Sequence, residues 1–219
     1  MILSEHMSKK IILQSLLSGE GADGLLRSVV SRIEAGEIFV YPTETIYGIG
    51  GRADSEDVRK KIIKAKRRPS ELPLILLAGH KKIFMDFNVR FSPLAQTLAR
   101  HFWPGNLTMV LPFENSASTI GVRVSDHPFI QALYKTLHMP LFSTSANFSG
   151  QAYVNDPAAI YSLFEKNVDF MIDAGVLPPS PPSTVIKIRS DDTVEIVREG
   201  KVSKEQIFSV IVTALNNKT

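Results

Sequence analysis

Apolar residues recur along this chain at two spacings, and the alternation between them predicts its architecture. From Ala22 to Glu34, Leu25, Leu26, Val29, Val30 and Ile33 fall at helical spacing. Glu37 to Tyr41 is a short β-prone run ending at Pro42. A second helix starts near Asp54 or Ser55, either of which can cap it, with Glu56 and Asp57 suited to the positive end of the helix dipole. It buries Val58, Ile62 and Ala65, turns Lys60, Lys61 and Lys64 outward, and stops before Pro69.

Pro73 to Ala78 then reads as a buried strand and Ser92 to Phe102 as a helix halted by Pro104-Gly105. Strands are expected over Leu107 to Leu111, Ile120 to Val124, Leu141 to Ser145, Val168 to Ile172, Thr184 to Ile188 and Thr193 to Arg198. Helices are expected over Pro128 to Leu137, Pro157 to Glu165 and from Ser203 onward. Such alternation predicts an α/β fold with a twisted sheet, mixed rather than purely parallel. Neither a repeat nor a dividing linker is visible. The loop holding Pro178, Pro179, Pro181 and Pro182 is too short for a hinge and is expected to flank a site.

Composition narrows the classes. At 219 residues the chain is near the upper size for one domain, so a single domain over residues 1–219 is expected. With 44% hydrophobic and 21% charged residues it has the balance of a folded protein. There is no cysteine, which excludes a thiolate nucleophile, a disulfide framework and thiolate-bound metal. Met1 to Lys10 shows no long apolar run or cleavage signal, and no stretch approaches a membrane span, so a cytoplasmic location with no membrane partner is expected. The net charge of +3 suggests a nucleic-acid partner only if the positive residues cluster.

Four segments carry candidate chemistry. In Tyr41 to Gly50 (YPTETIYGIG) a strand runs into two threonines, a glutamate and a glycine-rich turn. The glycines allow close backbone approach, and the hydroxyls of Thr43 and Thr45 can donate to a carboxylate or phosphate. The plain alternative is a capped strand–turn–helix connection. In Lys64 to Pro69 (KAKRRP), Lys66 and Arg68 can reach one space beyond the helix end, as a mobile ammonium and a guanidinium fork for polyphosphate. A solvated basic face is the competing reading, and Arg67 fits it.

The third segment is Gly121 to Pro128 (GVRVSDHP). Arg123 lies inside an apolar strand and needs an anion, either a structural carboxylate or one on a ligand. In the fourth, Leu141 to Gly150 (LFSTSANFSG), Ser143, Ser145 and Asn147 share one face of an extended chain, a ligand platform at a strand end or a ligand-free polar turn. The five histidines are scattered without paired metal spacing, and His127 beside Pro128 reads as a helix-start residue. This inventory would work by positioning and by neutralising phosphate charge.

Taken in order, these motifs resemble the YrdC/TsaC family of L-threonylcarbamoyladenylate synthases. The matching stretches are YPTETIYGIG, KAKRRP, PGNLTMVL, IGVRVSDHP, STSANFSG, STVIKI and VREG, running from about Gly36 to Gly200. The resemblance implies a YrdC-like domain over about residues 22–212, a twisted mixed sheet flanked by helices around a central basic cavity. It implies condensation of L-threonine with bicarbonate, attack of the N-carboxythreonine on the α-phosphorus of ATP, and release of pyrophosphate. Mg²⁺ is expected to be held through the phosphates. Partner proteins would then pass the threonylcarbamoyl group to ANN-decoding tRNAs, with weak direct tRNA binding.

Residue by residue, the resemblance implies that Lys66 and Arg68 grip the nucleotide phosphates and that Ser145 and Asn147 line the same adenylate site. These four are the expected catalytic residues. Arg123 would hold the threonine carboxylate, with Ser183, Thr43, Thr45 and Ser143 around the amino acid, while Thr119 and Arg198 would lie near the nucleotide. Many members carry Asn-Pro-Leu after the Arg-Pro, and a histidine just past the next strand. Here those positions read Leu72-Pro73-Leu74 and Leu77. Longer members append a C-terminal domain, which this chain is expected to lack. The competing class is a non-catalytic RNA-binding module of the same fold.

Overall fold

The computed structural model describes residues 9–18, 20–189 and 191–216, with side chains of the last helix through 214. Met1 to Ser8, most of the segment read as lacking a targeting signal, lie outside the described residues.

Among the described residues the strands are β1 (Lys10–Ile12), β2 (Phe39–Tyr41), β3 (Gly48–Arg52), β4 (Ile75–Ala78), β5 (Leu107–Pro112), β6 (Thr119–Val124), β7 (Leu141–Ser145), β8 (Phe170–Asp173), β9 (Thr184–Ile188) and β10 (Val194–Arg198). They form one sheet in the order β1-β8-β2-β3-β7-β4-β6-β5-β9-β10. Both pairing types occur: β4 runs parallel to β6 and antiparallel to β7, while β5 runs antiparallel to β6 and parallel to β9. The sheet is therefore mixed, and helices flank it.

The helices are α1 (Leu13–Leu17), α2 (Ala22–Glu34), α3 (Glu56–Lys66), α4 (Lys82–Asp86), α5 (Pro93–Phe102), α6 (Pro128–Leu133), α7 (Pro157–Phe164) and α8 (Lys204–Asn216). Their starts follow local chemistry. The Ser55 hydroxyl accepts from Val58 N and that of Ser92 from Ala95 N, while Asp156 accepts from Ala158 N and His127 Nδ1 from Phe129 N. His127 is thus the helix-start residue its place before Pro128 suggests. α2 packs Val29, Val30 and Ile33 into the larger apolar cluster with Phe39 and Tyr41, and α3 packs Val58, Ile62 and Ala65 into a second with Val40 and Ile49. None of the described helices is long and apolar enough to cross a membrane.

One reading is corrected. Gly48 to Arg52 is a strand in the middle of the sheet, not a glycine-rich turn, and no glycine in it has positive φ. The glycines serve proximity. A Cβ on Gly50 would sit 2.2 Å from the Phe142 carbonyl oxygen and 3.0 Å from the Tyr41 ring, and one on Gly51 would sit 2.7 Å from Val58. Sparse side chains let β3 nest between β2 and β7 while Tyr41 crosses over it.

Candidate functional site

Six neighbouring strands, β3-β7-β4-β6-β5-β9, each place a residue on one wall of a cavity of about 400 Å³. They contribute Gly48, Ser143 with Ser145, Ile75, Arg123, Thr108 and Val185 respectively. Small residues make the hollow. A Cβ on Gly121 would press to 2.8 Å from Ile75 Cγ2, and one on Gly48 would meet the Tyr41 ring and Ser143 Oγ. The Tyr41 hydroxyl donates to Ser143 Oγ at 2.7 Å, and complete burial pushes that phenol well above its ordinary pKa.

Loops complete the walls. The Thr43 hydroxyl donates to Ile46 O at 2.7 Å and accepts from the backbone N–H groups of Thr45 and Ile46, folding the PTET segment into a turn. That turn presents Thr43 and Thr45 to the cavity, their hydroxyls 3.1 Å apart. On the opposite side Ser183 Oγ is 3.0 Å from Thr108 Oγ1, and Arg198 donates to Ser183 O at 2.8 Å. Pro182 lines the cavity, so the proline-rich loop does flank the site.

At one end of the cavity α3 terminates. Arg67 adopts a left-handed conformation (φ 50°), turning the chain so that successive side chains diverge. Arg67 lies exposed over the Phe148 ring at 4.3 Å, whereas Arg68 lines the cavity and donates to Pro73 O at 3.0 Å. Lys66 is 1% exposed, which corrects its reading as a mobile ammonium. Its Nζ donates to Ser145 O at 2.5 Å, to Asn147 Oδ1 at 3.1 Å and weakly to Ser145 Oγ at 3.4 Å. All three partners are neutral oxygens. Burial, and secondarily the nearby Arg68 charge, lower the ammonium pKa to about 8. Ser145 Oγ donates to Asn147 Oδ1 at 2.5 Å, so the two side chains and Lys66 form one network.

At the other end Arg123 is 5% exposed and already has a carboxylate. Its Nη2 donates to Glu44 Oε1 at 2.5 Å and its Nε to Gly105 O at 3.1 Å. The buried guanidinium therefore has the structural anion that was one of its two expected solutions, and it also faces the cavity. Glu44 was not among the residues read as functional. A strand-buried arginine needs an anion, but nothing near position 123 marks Glu44, 79 residues away, as the group that supplies it.

Of the residues singled out by sequence, Thr43, Thr45, Arg68, Arg123, Ser143, Ser145, Asn147, Ser183 and Arg198 line this one cavity together. Lys66 stands just behind its wall, bonded to Ser145 and Asn147. Thr119 is exposed at the opposite end of β6 from Val124 and does not line it. Leu77 lies within β4 rather than past it, paired in register with Arg123 and buried, and Leu72 is exposed with its carbonyl facing Arg68. Sequence reading missed Thr108, Tyr153, Ile75 and Val185 as cavity residues, since nothing but topology brings them here.

Comparison with known proteins places this arrangement. Residues 31–200 match the Sua5/YciO/YrdC family model, described as telomere recombination. The chain is 32% identical over 198 residues to a threonylcarbamoyl-AMP synthase of Bacillus subtilis, covering 86% of this chain and 57% of the relative. It is 32% identical over 185 residues to the threonylcarbamoyl-AMP synthase of Vibrio vulnificus (strain YJ016), covering 80% of this chain and 98% of that one. The crystal structure of P. abyssi Sua5 complexed with L-threonine superposes with a TM-score of 0.80 at 28% identity, covering 92% of this chain and 60% of that protein. The chain thus spans little more than half the length of the Bacillus relative and nearly the whole of the Vibrio one.

Proposed function

The chain belongs to the Sua5/YciO/YrdC family, and from that premise we propose that it is a threonylcarbamoyl-AMP synthase acting on L-threonine, bicarbonate and ATP. The observation that carries this reading is the convergence of Arg68, Arg123, Ser145, Asn147 and Ser183 on one cavity, with Lys66 behind its wall. One end offers an oriented guanidinium and hydroxyls, the chemistry an α-amino acid carboxylate needs. The other offers a lysine and an arginine with only neutral partners, the chemistry a polyphosphate needs.

In the reaction, the threonine nitrogen takes up carbon from bicarbonate, losing water, to give N-carboxythreonine. A carboxylate oxygen of that group attacks the α-phosphorus, and pyrophosphate departs. Arg123, Ser183, Thr43, Thr45 and Ser143 hold the amino acid so that its nitrogen faces the nucleotide. Lys66, Arg68, Ser145 and Asn147 neutralise and fix the phosphates, and Arg198, bonded to Ser183 O, faces the nucleotide from across the cavity. Catalysis is by alignment and charge neutralisation in a partly water-excluded space. Thr119 is excluded from this assignment, because it is exposed and off the cavity wall.

Among the described residues no group of three or more His, Asp or Glu side chains could hold a metal, and no carboxylate lines the cavity. That donor set fits Mg²⁺ carried in on phosphate oxygens, where it would offset their charge, rather than a protein-built metal cage. The product would pass to partner proteins that modify tRNA beside the anticodon.

The test is pyrophosphate release from ATP with and without L-threonine and bicarbonate. Release is expected to require threonine and to be lost in Arg68→Ala. ATP consumption indifferent to threonine would point to another small-molecule reaction. No turnover together with tight, salt-sensitive RNA binding would favour the non-catalytic RNA-binding module, since phosphate contacts weaken steeply with salt.

A further inference from the structure

We propose that Glu44, with Ser125, is the positioning element that aims Arg123 at the ligand carboxylate; the inference rests on the synthase reading of the cavity. Thr43 and Thr45 line the cavity, whereas Glu44 between them does not. Its carboxylate instead bridges two groups two residues apart in the chain. Oε1 accepts from Arg123 Nη2 and Oε2 from the Ser125 hydroxyl, each at 2.5 Å. Ser125 is fully buried, and its oxygen accepts from His127 N at 3.2 Å, which ties the clamp to the start of α6.

The consequence for Arg123 is geometric. A guanidinium carries five N–H donors on three nitrogens, and two of those nitrogens make short bonds here. Nε donates to Gly105 O, and Nη2 donates to Glu44, with long contacts at 3.4 Å to Thr45 Oγ1 and Asn106 Oδ1. Nη1 has only a contact at 3.5 Å to Thr45 Oγ1, at the limit of hydrogen bonding. The free edge therefore lies beside a hydroxyl on the cavity wall, and a carboxylate docking there would accept from Nη1 and the Thr45 hydroxyl together. Glu44 also offsets the buried Arg123 charge, which leaves Arg198, bonded to Ser183 O, as the further cation facing this side of the cavity.

The experiment compares the wild-type protein with Glu44→Gln, Glu44→Asp and Ser125→Ala, measuring the threonine KM and ATP KM of pyrophosphate release. Glu44→Gln keeps the volume but removes the charge that orients Arg123. It is expected to raise the threonine KM about ten- to a hundredfold, the usual weight of a charged hydrogen bond, with the ATP KM unmoved and a smaller change in kcat. Glu44→Asp keeps the charge with a shorter reach and should restore part of the loss. Ser125→Ala releases one anchor and should shift the threonine KM in the same direction by less.

A threonine KM unchanged in Glu44→Gln, or a loss shared equally between threonine and ATP, would overturn the assignment by leaving Glu44 a structural ion-pair partner only. Should Glu44→Gln fail to fold, Ser125→Ala decides, and an unmoved threonine KM there overturns it equally. Absence of threonine-dependent release in the wild-type protein would take down the synthase reading and this inference together. Normal wild-type turnover with unmoved variants would defeat this inference alone.

Discussion

At one end of the cavity a buried cation has its anion, and at the other a buried cation has none. Arg123 is paired with Glu44, while Lys66 is bonded to a carbonyl, an amide oxygen and a hydroxyl. The paired end is a finished piece of structure that can recognise a ligand of no net charge without changing its own balance. The unpaired end is costly by itself, because an ammonium held among neutral oxygens loses hydration without gaining a counter-charge. Such a group persists where a ligand supplies what the protein withholds. On the proposed reading, the contrast between the two ends marks where a polyanion would bind more directly than counting basic residues does, since Lys60 and Lys64 are just as basic and exposed, and Arg67 is exposed over the Phe148 ring.

The largest effect that could break this contrast comes from Lys66→Met. Pyrophosphate release should fall about a thousandfold, the upper range for removing one group that stabilises transferring charge. The same substitution should raise the melting temperature of the ligand-free protein, because it replaces an uncompensated buried charge by an apolar chain of similar length. A melting scan of the variant checks it. A fall in melting temperature would mean that Lys66 is satisfied where it stands and that the two ends are alike.

Arg123→Leu should do the reverse to stability. It leaves the largely buried Glu44 carboxylate with the Ser125 hydroxyl but no counter-charge, and removing one partner of a buried pair costs about 3–5 kcal/mol. Threonine binding should weaken more than ATP binding, and denaturant unfolding together with separate KM values measures both effects. Equal loss of the two substrates would place Arg123 in structure rather than recognition.

A third prediction uses pH. With the Lys66 pKa lowered to about 8 by burial first and by Arg68 second, the ammonium is the majority form at neutral pH and is lost above 8. Affinity for a nucleotide triphosphate should therefore fall by up to about tenfold per unit between pH 8 and 9. Stability moves the other way. The folded pKa lies below the ordinary 10.5, so between about 8 and 10.5 the unfolded chain holds more protons at this site, and this group's contribution to folding stability rises with pH across that window. Nucleotide titrations and unfolding curves at pH 7, 8 and 9 test both trends, and Lys66→Met should flatten both.

How much of this was legible beforehand depends on what kind of signal each element leaves. α2, β7 and β9 follow the expected boundaries because branched and leucine side chains mark their periods clearly. β3 was hidden, since a strand whose work is to be thin carries glycines, and glycines read as a turn. β1, α1 and α4, of 3 to 5 residues, went unread because they show no period and, unlike the equally short β2 and β4, have no proline beside their apolar run to mark them. The polar site residues were visible as misfits within apolar runs. Glu44 was quoted within its motif but not read as Arg123's partner, because that pairing bridges residues 79 apart in sequence. Ile75, Thr108 and Val185 look like any strand residue until the strand order sets them side by side.

The smallest expected effect is the sharpest control on the phosphate end. Arg67 and Arg68 are adjacent and chemically identical, yet the left-handed turn at Arg67 sends one, itself exposed, over the half-buried Phe148 ring and the other into the cavity. Arg67→Ala removes a surface cation–π contact worth about 0.5–1 kcal/mol and leaves a strained backbone position occupied by another L-residue. Arg67→Gly relieves that strain and should return most of the loss. In both variants nucleotide affinity should stay within about twofold of wild type, as expected of an exposed charge screened by solvent, while Arg68→Ala abolishes turnover. Equal damage from Arg67→Ala and Arg68→Ala would mean that the basic segment acts through its summed field rather than through directed contacts. The cavity would then lose its claim over the surface of α3 as the place where phosphate is bound, and the RNA-binding reading would gain what it lost.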